Sequence, residues 1–317
     1  MTALPAWDLA CFSYLAHAQI LHVARYPAAD RGAPVDRSRT SLAGDGPITA
    51  TVASSLGLRT VLVSNAVGDD LTGQAVTAQL HASRVEAPLC GRRPAATPHL
   101  TVITDALGTR TWFADLAHVH DSLHHADKSP LARARLAYID CYTVIAPLAA
   151  RAIDTAATAN VPLLLNLGND PIHPAVADAA LRATVLAVQT GLPEDQIDQA
   201  DPLARDTLER LRPQAAIVTL GAHGAIALTR GRGTRLHVPA RQVRVTDTHG
   251  AGAAFSAALA AAYLDGHDQA AALDRACAAG TAHCTTSSAT VPASTAPTAC
   301  AAVTLPREEV PLCSPTT

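Results

Sequence analysis

The sequence predicts an α/β fold, a three-layer sandwich around a mostly parallel central sheet with a small β lid. Two observations predict it. Apolar strand-like runs alternate with Ala-rich helical stretches along most of the chain, which is the pattern of βαβ units. Residues 12–45 and 97–115 break that rhythm with extended, turn-rich segments. A small sheet attached to an α/β body accounts for both segments.

The parallel sheet is predicted from continuous apolar runs at residues 60–64, 136–140, 161–166, 185–188 and 216–220. Helical stretches near 73–81 and 145–159 follow two of them, so the strands should be covered on both faces. In the lid, residues 98–104 and 109–114 predict a hairpin around a turn at 105–108. We expect a single domain over residues 1–317, with a loosely structured tail from about residue 304.

Composition excludes several classes of function. The formal net charge of −3 gives no electrostatic basis for binding nucleic acid. No apolar run reaches the roughly 18–20 residues that a membrane span needs, and the N-terminus lacks a signal-peptide pattern. The seven cysteines contain no Cys-x-x-Cys pair, so we expect free thiols, no metal site and a cytoplasmic protein.

The strongest local signal is the segment Val245–Phe255. Gly250 and Gly252 frame a turn where backbone can approach a ligand closely, and an Ala-rich helix follows. The free N–H groups and positive dipole end of that helix would make the turn an anion hole for a phosphate. An ordinary glycine-rich strand-to-helix turn is the alternative explanation.

This segment resembles the signature of the PfkB (ribokinase-like) carbohydrate kinase family, Asp-Thr-x-Gly-Ala-Gly-Asp-x-Phe. The positions that match it are Asp247, Thr248, Gly250, Ala251, Gly252 and Phe255. In that family the last Asp of the signature is the general base that accepts the proton of the substrate hydroxyl. Here that position holds Ala253, whose methyl group cannot accept a proton.

Three further elements resemble the family in the same order along the chain. They are residues 43–47 for the substrate loop, 67–73 for a Val-Gly-Asp-Asp-x-x-Gly element, and 218–224 for a turn along the nucleotide. The resemblance implies a ribokinase-like fold and a set of nucleotide contacts: Asp247, Thr248, Thr219, Gly221, Gly224 and Gln189. It implies substrate contacts at Gly44, Asp45, Gly46 and Ala18. We expect Asp69 and Asp70 to cap the following helix rather than contact substrate.

Departures from the family pattern concentrate at the acceptor end. Ala18 replaces an acidic residue that usually binds substrate hydroxyls, and Ile48 or Thr49 falls near a usual Asn. The Asn-x-x-Glu that helps organise magnesium and phosphates corresponds to residues 189–192, with Glu194 two residues beyond as a candidate substitute. Asn166 stands where an Asp is usual.

The resemblance implies a kinase that uses ATP and Mg²⁺ to phosphorylate a hydroxyl of a sugar, polyol or nucleoside-like acceptor, and a homodimer formed through the lid. Ala253 leaves three hypotheses. The base was replaced in an otherwise active kinase, or the chain is a relative that binds a nucleotide or small molecule without phosphorylating it. In the third, another base serves, with Asp247, His249 and Asp69 as candidates. A dinucleotide-dependent oxidoreductase is disfavoured, because residues 11–16 contain no Gly-x-Gly-x-x-Gly.

Overall fold

The computed structural model describes residues 4–285 except 90, 92, 95, 107–109 and 232. The strands in this part of the chain are β1 (Trp7–Phe12), β2 (Ala16–His22), β3 (Arg37–Ala43), β4 (Thr60–Val63), β5 (His99–Thr104), β6 (Arg110–Asp115), β7 (Ala134–Asp140), β8 (Leu163–Asn166), β9 (Val185–Gly191), β10 (Ala215–Thr219), β11 (Ala225–Thr229) and β12 (Arg235–Val238). The α-helices are α1 (Asp45–Ser55), α2 (Leu71–Ala82), α3 (Val119–His124), α4 (Ala146–Thr158), α5 (Pro174–Ala180), α6 (Ala200–Leu211), α7 (Ala251–Leu264) and α8 (Gln269–Thr285).

The large sheet has eight strands in the order β12-β11-β10-β9-β8-β7-β1-β4. The pairs from β10 through β4 are all parallel, whereas β11 and β12 are antiparallel and close one edge. The five predicted apolar runs are all strands of this sheet. The predicted α/β fold with a mostly parallel central sheet is therefore confirmed.

Alternate residues of the strands pack on opposite faces of the large sheet, which makes the three layers. In β1, Ala10 and Phe12 join the cluster that contains the buried faces of α4 and α5. Leu9 and Cys11, between them, join the cluster that contains α1, α7 and α8. Because few aromatic side chains are available, both clusters consist mainly of Ala, Leu, Val and Ile.

The lid is a separate four-stranded sheet in the order β3-β2-β5-β6. It comes from the two segments that the sequence singled out, and the predicted hairpin corresponds to β5 and β6. One lid face carries a small apolar cluster that includes Ala16, Ala18 and Ile20. Residues 107–109 of the predicted hairpin lie outside the described residues, as does every residue beyond 285, including the predicted tail from about residue 304.

Expectations about the cysteines and membrane spans can be compared with the described residues. Within them Cys11, Cys141, Cys277 and Cys284 are free thiols, and no cluster of three or more potential metal ligands occurs. Cys90, Cys300 and Cys313 lie outside that part of the chain. Among the helices it contains, none combines the length and apolar character that crossing a membrane requires.

Truncation of Leu164 tests the central core. This side chain on β8 is fully buried in the α1/α7/α8 cluster. We expect Leu164→Ala to lower the free energy of unfolding by about 2–5 kcal/mol, from lost burial and the cavity left behind. The matched control Leu181→Ala, at a half-exposed side chain, should change it by less than about 0.5 kcal/mol. Equal urea midpoints for the two variants would contradict this packing.

Candidate functional site

Polar side chains gather at the carboxyl ends of β1, β7 and β8, beside the first turns of α1 and α7. Ser13 follows β1, while Asp140 and Asn166 are the last residues of β7 and β8. In open α/β sheets this edge is where ligands bind. Because α1 and α7 both begin here, their free N–H groups point into the same region.

The turn before α7 has the geometry of an anion hole. Gly250 caps the helix in a left-handed conformation, with φ of 83°. The Ala251 N–H donates to the Thr248 carbonyl at 3.2 Å, and the Ala254 N–H donates to the Gly250 carbonyl at 2.9 Å. Among the described residues no acceptor pairs with the N–H of Gly252 or Ala253. Two donors at a helix N-terminus are thus available for an anion, although phosphate binding itself stays a prediction.

The backbone of this turn is open at Gly252. The nearest atom to the position of an added Cβ on Gly252 is Nε2 of Gln189, at 3.9 Å. At Gly250 the space is tighter, since Nε2 of His283 lies 3.0 Å and Cγ2 of Ile48 lies 3.2 Å from the corresponding position. A ligand can therefore approach the backbone at Gly252, while Gly250 is enclosed.

Ala253, which the sequence comparison with the family signature predicts to stand at the base position, is fully buried. Its methyl group belongs to the same apolar cluster as Ile48 of α1. Its carbonyl accepts a hydrogen bond from Oγ1 of Thr49 at 3.3 Å. Ile48 and Thr49 are the two residues nearest the position of the usual Asn, so neither supplies an amide. We call the turn at Gly250–Gly252 the anion turn. The side chains of Ala253 and Ile48 beside it are apolar, so neither can act as a base.

Gln189 braces the anion turn from within the sheet. Its side chain is 3% exposed; Nε2 donates to the Gly252 carbonyl at 3.3 Å, and Oε1 accepts from Oγ of Ser256 at 2.7 Å. The structure therefore places this predicted nucleotide contact beneath the first turn of α7. Glu194 does not join it: its Oε1 accepts from the N–H of Ala222 at 3.1 Å.

The turn that should lie along the nucleotide depends on two glycines with positive φ. Gly221 has φ of 54° and Gly224 has φ of 86°. A Cβ on Gly224 would stand 2.0 Å from the Val238 carbonyl oxygen, so no other residue fits. Thr219, the last residue of β10, donates through Oγ1 to the Thr190 carbonyl at 3.3 Å. These residues lie together, but a nucleotide contact at them stays a prediction.

Asp140 is the centre of a buried polar cluster that the sequence did not reveal. Its Oδ2 accepts from Oγ of Ser13 at 2.5 Å and from the Gly46 N–H at 2.8 Å. Its Oδ1 accepts from the Tyr138 hydroxyl at 2.7 Å and from Nδ2 of Asn166 at 2.9 Å. Burial, reinforced by the neighbouring charge of Asp45, raises the pKa of Asp140 to about 7, while three of the donated hydrogen bonds oppose the rise.

Asn166 connects this cluster to the predicted substrate loop. Its Nδ2 lies 3.0 Å from Oδ2 of Asp45, so one amide bridges two carboxylates. Gly44 and Gly46 allow the loop to lie close to the residues that follow β1. A Cβ added to Gly44 would lie 2.2 Å from the Tyr14 carbonyl oxygen, and one added to Gly46 would lie 2.4 Å from Cβ of Ser13. The half-buried Asp45 is thereby positioned at this edge of the sheet.

The predicted substrate residues do not all lie together. Gly44, Asp45 and Gly46 form the start of α1, beside Asp140. Ala18 lies on β2 of the lid, where it is fully buried in the lid's apolar cluster. Its methyl side chain has no polar atom to offer a hydroxyl.

The lid contacts the anion turn through three interactions. Arg39 of β3 forms an ion pair with Asp247, and Nε2 of His249 lies 3.2 Å from the Leu42 carbonyl oxygen. Arg110 of β6 donates through Nη1 to the Thr248 carbonyl at 3.4 Å. The lid is thus joined to the segment that carries the family signature.

These contacts bear on the candidate substitute bases. Burial by itself raises the pKa of Asp247, but the His249 N–H and Arg39 outweigh it and leave that pKa lowered. Burial, with help from the nearby arginines, lowers the pKa of His249. Asp69 is exposed and paired with Arg93. Asp70, as expected, caps α2 by accepting from the Gly73 N–H at 2.6 Å.

Sequence reasoning missed Asp140, Tyr138 and Arg39. One signal could have found Asp140: it is a lone carboxylate at the carboxyl end of an apolar strand, where α/β folds bind ligands. No local signal marks Arg39, because its partner Asp247 is distant in the sequence and only the packing of the lid brings them together.

The chain belongs to the pfkB family carbohydrate kinases, whose family model matches residues 8–296. It is 31% identical over 268 residues to the bifunctional protein HldE of Rhodopseudomonas palustris (strain TIE-1), covering 77% of this chain and 52% of that one. It therefore spans about half the length of this curated relative. Over 93 residues it is 38% identical to a deoxyribokinase of Salmonella typhi, which is 29% of each chain.

Solved structures share the fold over most of the chain. The microbiome-derived acarbose kinase Mak1 has a TM-score of 0.72 at 21% identity, covering 89% of this chain and 93% of that one. A putative ribokinase from Agrobacterium tumefaciens has a TM-score of 0.70 at 22% identity, covering 88% and 91%. Ribokinase of Arabidopsis thaliana, solved with ribose and ATP, has a TM-score of 0.67 at 16% identity, covering 90% and 95%. At these identities the likeness is one of fold.

Removing the Asp45 charge tests the electrostatics of the polar cluster. We expect Asp45→Asn to lower the pKa of Asp140, measured by ¹³C NMR titration of its carboxyl, because a neighbouring negative charge opposes ionisation. Asp69→Asn, at an exposed carboxylate paired with Arg93, is the control and should leave it unchanged. An unshifted midpoint in Asp45→Asn would contradict the coupling.

The raised pKa of Asp140 also predicts that the stability of the fold depends on pH. The pKa of Asp140 is higher in the folded state than its ordinary value of about 3.9. Between about pH 4 and pH 7 the folded chain therefore holds a proton that the unfolded chain has released, and the contribution of this group to the free energy of unfolding falls as pH rises. Urea denaturation should show a smaller fall in Asp45→Asn than in the wild type.

A methyl group at Gly252 tests the anion turn. Because an added Cβ meets nothing closer than 3.9 Å, we expect Gly252→Ala to keep or raise the thermal stability, since Ala favours helix. The methyl group would add bulk at the exposed Gly252, and we expect it to weaken binding of an ATP analogue, measured by calorimetry. In the comparison variant Gly250→Ala, strained at positive φ, stability itself should fall. Undiminished analogue binding by Gly252→Ala would rule out the turn as the phosphate site.

Proposed function

We propose that this chain transfers the γ-phosphate of ATP to a hydroxyl of a sugar, polyol or nucleoside-like small molecule, at a rate limited by the absence of a base at Ala253. The single observation that carries the proposal is the turn at Gly250–Gly252. There the N–H groups of Gly252 and Ala253, at a helix N-terminus, have no acceptor among the described residues, in a chain of the carbohydrate kinase family.

The relation between α1 and α7 supports a shared cleft. Ile48 and Thr49, in the first turns of α1, contact Gly250 and Ala253 in the turn and first residues of α7. Asp45 lies one helical turn before Ile48, close to the Asp140 cluster. An acceptor beside Asp45 and Asn166 would thus lie next to a phosphate held at the anion turn. Positioning of this kind, with charge stabilisation, supplies most of the rate in phosphoryl transfer.

The site has protein groups suited to hold the phosphates of ATP but few that could hold magnesium directly. The open backbone at Gly252 and the two free donors suit the terminal phosphates of ATP. In the described residues no three potential metal ligands lie together, so magnesium would be held largely by the phosphates and by water. When bound, the ion neutralises charge on the transferring phosphate.

Ala253 should reduce the rate without preventing nucleotide binding. Loss of a general base typically costs about 10²–10⁴ in rate. Asp247 and His249, both candidate substitutes, have lowered pKa values and are occupied by the lid contacts. Asp69 is paired with Arg93 on the surface. None of the three is suited to replace the missing carboxylate.

A second candidate function, binding without phosphorylation, is favoured by the packing at Ala253. Ala253 and Ile48 stand near the positions of the family's Asp and Asn, and both are buried in one apolar cluster. A single replaced base would leave a polar surrounding, whereas here the neighbour is apolar as well. The chain would then bind a nucleotide or small molecule in the same cleft without turnover.

The outer lid strand supports association through the lid. Every residue of β6 is exposed, including the large apolar side chains Trp112 and Phe113. The strand pairs with β5 on one side only, so its other edge has free backbone groups within the described sheet. A homodimer through the lid is therefore part of the proposal.

Restoring the carboxylate tests the kinase. We expect Ala253→Asp, alone or together with Ile48→Asn to make room for it, to raise acceptor-dependent ADP release by about 10²–10⁴. The panel would contain pentoses, hexoses, nucleosides and sugar phosphates. Ala253→Asn, of the same size but unable to accept the proton, is the matched control and should show no increase.

The outcome separates the two candidate functions. If the Asp variants fold, as judged by thermal unfolding, and bind ATP but release no ADP with any acceptor, the kinase proposal is wrong. Ligand-induced thermal stabilisation of the wild type without turnover would then favour binding alone. A phosphorylated product from the wild type would exclude the non-phosphorylating alternative.

A further inference from the structure

Arg39 is a buried cation with unused hydrogen-bonding capacity. Its side chain is 7% exposed, and its ion-pair partner Asp247 is 10% exposed. Within the described part of the chain, Nε and Nη1 of the guanidinium have no hydrogen-bond partner. A guanidinium carries five N–H donors, and burying donors without acceptors is unfavourable. One carboxylate at Nη2 therefore leaves most of this group unsatisfied.

The register of the lid places Arg39 on the face that looks towards the anion turn. Arg39 pairs with Ile20, and Ser41 pairs with Ala18, so all four side chains lie on one face of the lid sheet. The contact of Arg39 with Asp247 identifies this face as the one turned to α7. Arg110, paired with Thr104 on the same face, reaches the Thr248 carbonyl.

This face of the lid carries the positive charge of Arg39, and it has no carboxylate at Ala18, where the family pattern places a hydroxyl-binding acidic residue. Ala18 carries no charge, and Arg39 lies on the neighbouring strand opposite Ile20, two residues along β2 from Ala18. Opposite this face of the lid, the N–H groups of Gly252 and Ala253 have no acceptor among the described residues. Cationic and N–H donors on two sides of a cleft suit an anion, and the planar fork of arginine suits a phosphate.

We propose that Arg39 binds a phosphate group of the ligand that lies between the lid and the Gly250–Gly252 turn. The group is either a phosphate monoester on the small molecule or the terminal phosphate of the nucleotide. This inference rests on the proposed function in placing a ligand in that cleft. It requires no turnover, so it can fail or hold independently of the kinase activity.

A purely structural role for Arg39 is the competing explanation. Asp247 also accepts from the His249 N–H at 2.8 Å, and Arg39 could serve only to neutralise this carboxylate beside the turn. In that case removal of both charges together would restore the site. If Arg39 contacts the phosphate, removal of both would not.

Calorimetric titrations with paired probes test the proposal. The pairs are ribose 5-phosphate against ribose, and the ATP analogue AMP-PNP with Mg²⁺ against adenosine. We expect Arg39→Gln to weaken binding of the phosphorylated member of at least one pair by on the order of tenfold, while binding of the unphosphorylated member stays the same. Arg37→Gln, which removes an exposed arginine of the same strand, is the control and should change affinity less than about twofold.

The pair affected identifies the source of the phosphate. Loss confined to ribose 5-phosphate places the group on the small molecule, and loss confined to AMP-PNP places it on the nucleotide. The combined variant Arg39→Gln with Asp247→Asn should remain weak. Wild-type affinity in the combined variant, an unchanged affinity in Arg39→Gln, or a wild type that does not prefer the phosphorylated probes would each overturn the proposal. Thermal unfolding of every variant checks that the fold is retained.

Discussion

The first turn of α7 is the element on which the rest of the site depends. Among the described residues the N–H groups of Gly252 and Ala253 have no acceptor, and a helix end without such partners is held in place by its neighbours. Gln189 supports the Gly252 carbonyl from the sheet, Thr49 supports the Ala253 carbonyl from α1, and the lid holds the preceding Asp247. Two carbonyls and one carboxylate are fixed, so the two free N–H groups keep a defined direction.

Helix α1 contacts both the anion turn and the Asp140 cluster, so a change in the first turn of α1 can affect both places. Ile48 lies against Gly250 of the turn, while three residues earlier Asp45 contacts the Asp140 cluster through Asn166. The chemistry of the two ends therefore differs sharply over one turn of helix. One end is apolar where a proton acceptor is needed, and the other concentrates two carboxylates around one amide. The turn at Gly250–Gly252 thus has the geometry that the sequence predicted for an anion hole, whereas the residues around Ala253 and Asp45 depart from the pattern of the family that the sequence resembles.

Local features were predictable from the sequence because they have local causes. Apolar runs predicted the strands of the large sheet, and polar extended segments predicted the lid. Gly250 and Gly252 predicted an open turn before a helix, since both residues allow close approach of the backbone. The prediction for Ala18 was less complete: the lid position was identified, but the burial of this side chain in an apolar cluster depends on β5 lying beside β2.

By itself the sequence determined the fold class, the family, the glycine turn before α7 and the absence of a carboxylate at residue 253, because each depends on residues adjacent in the chain. Only the tertiary structure decided how Asp140 is surrounded, that Ile48 lies against Gly250, and that Arg39 pairs with Asp247. Those contacts join residues far apart in the chain. They exist because parallel strands end at one edge of the sheet and the lid folds over that edge, which no local pattern specifies.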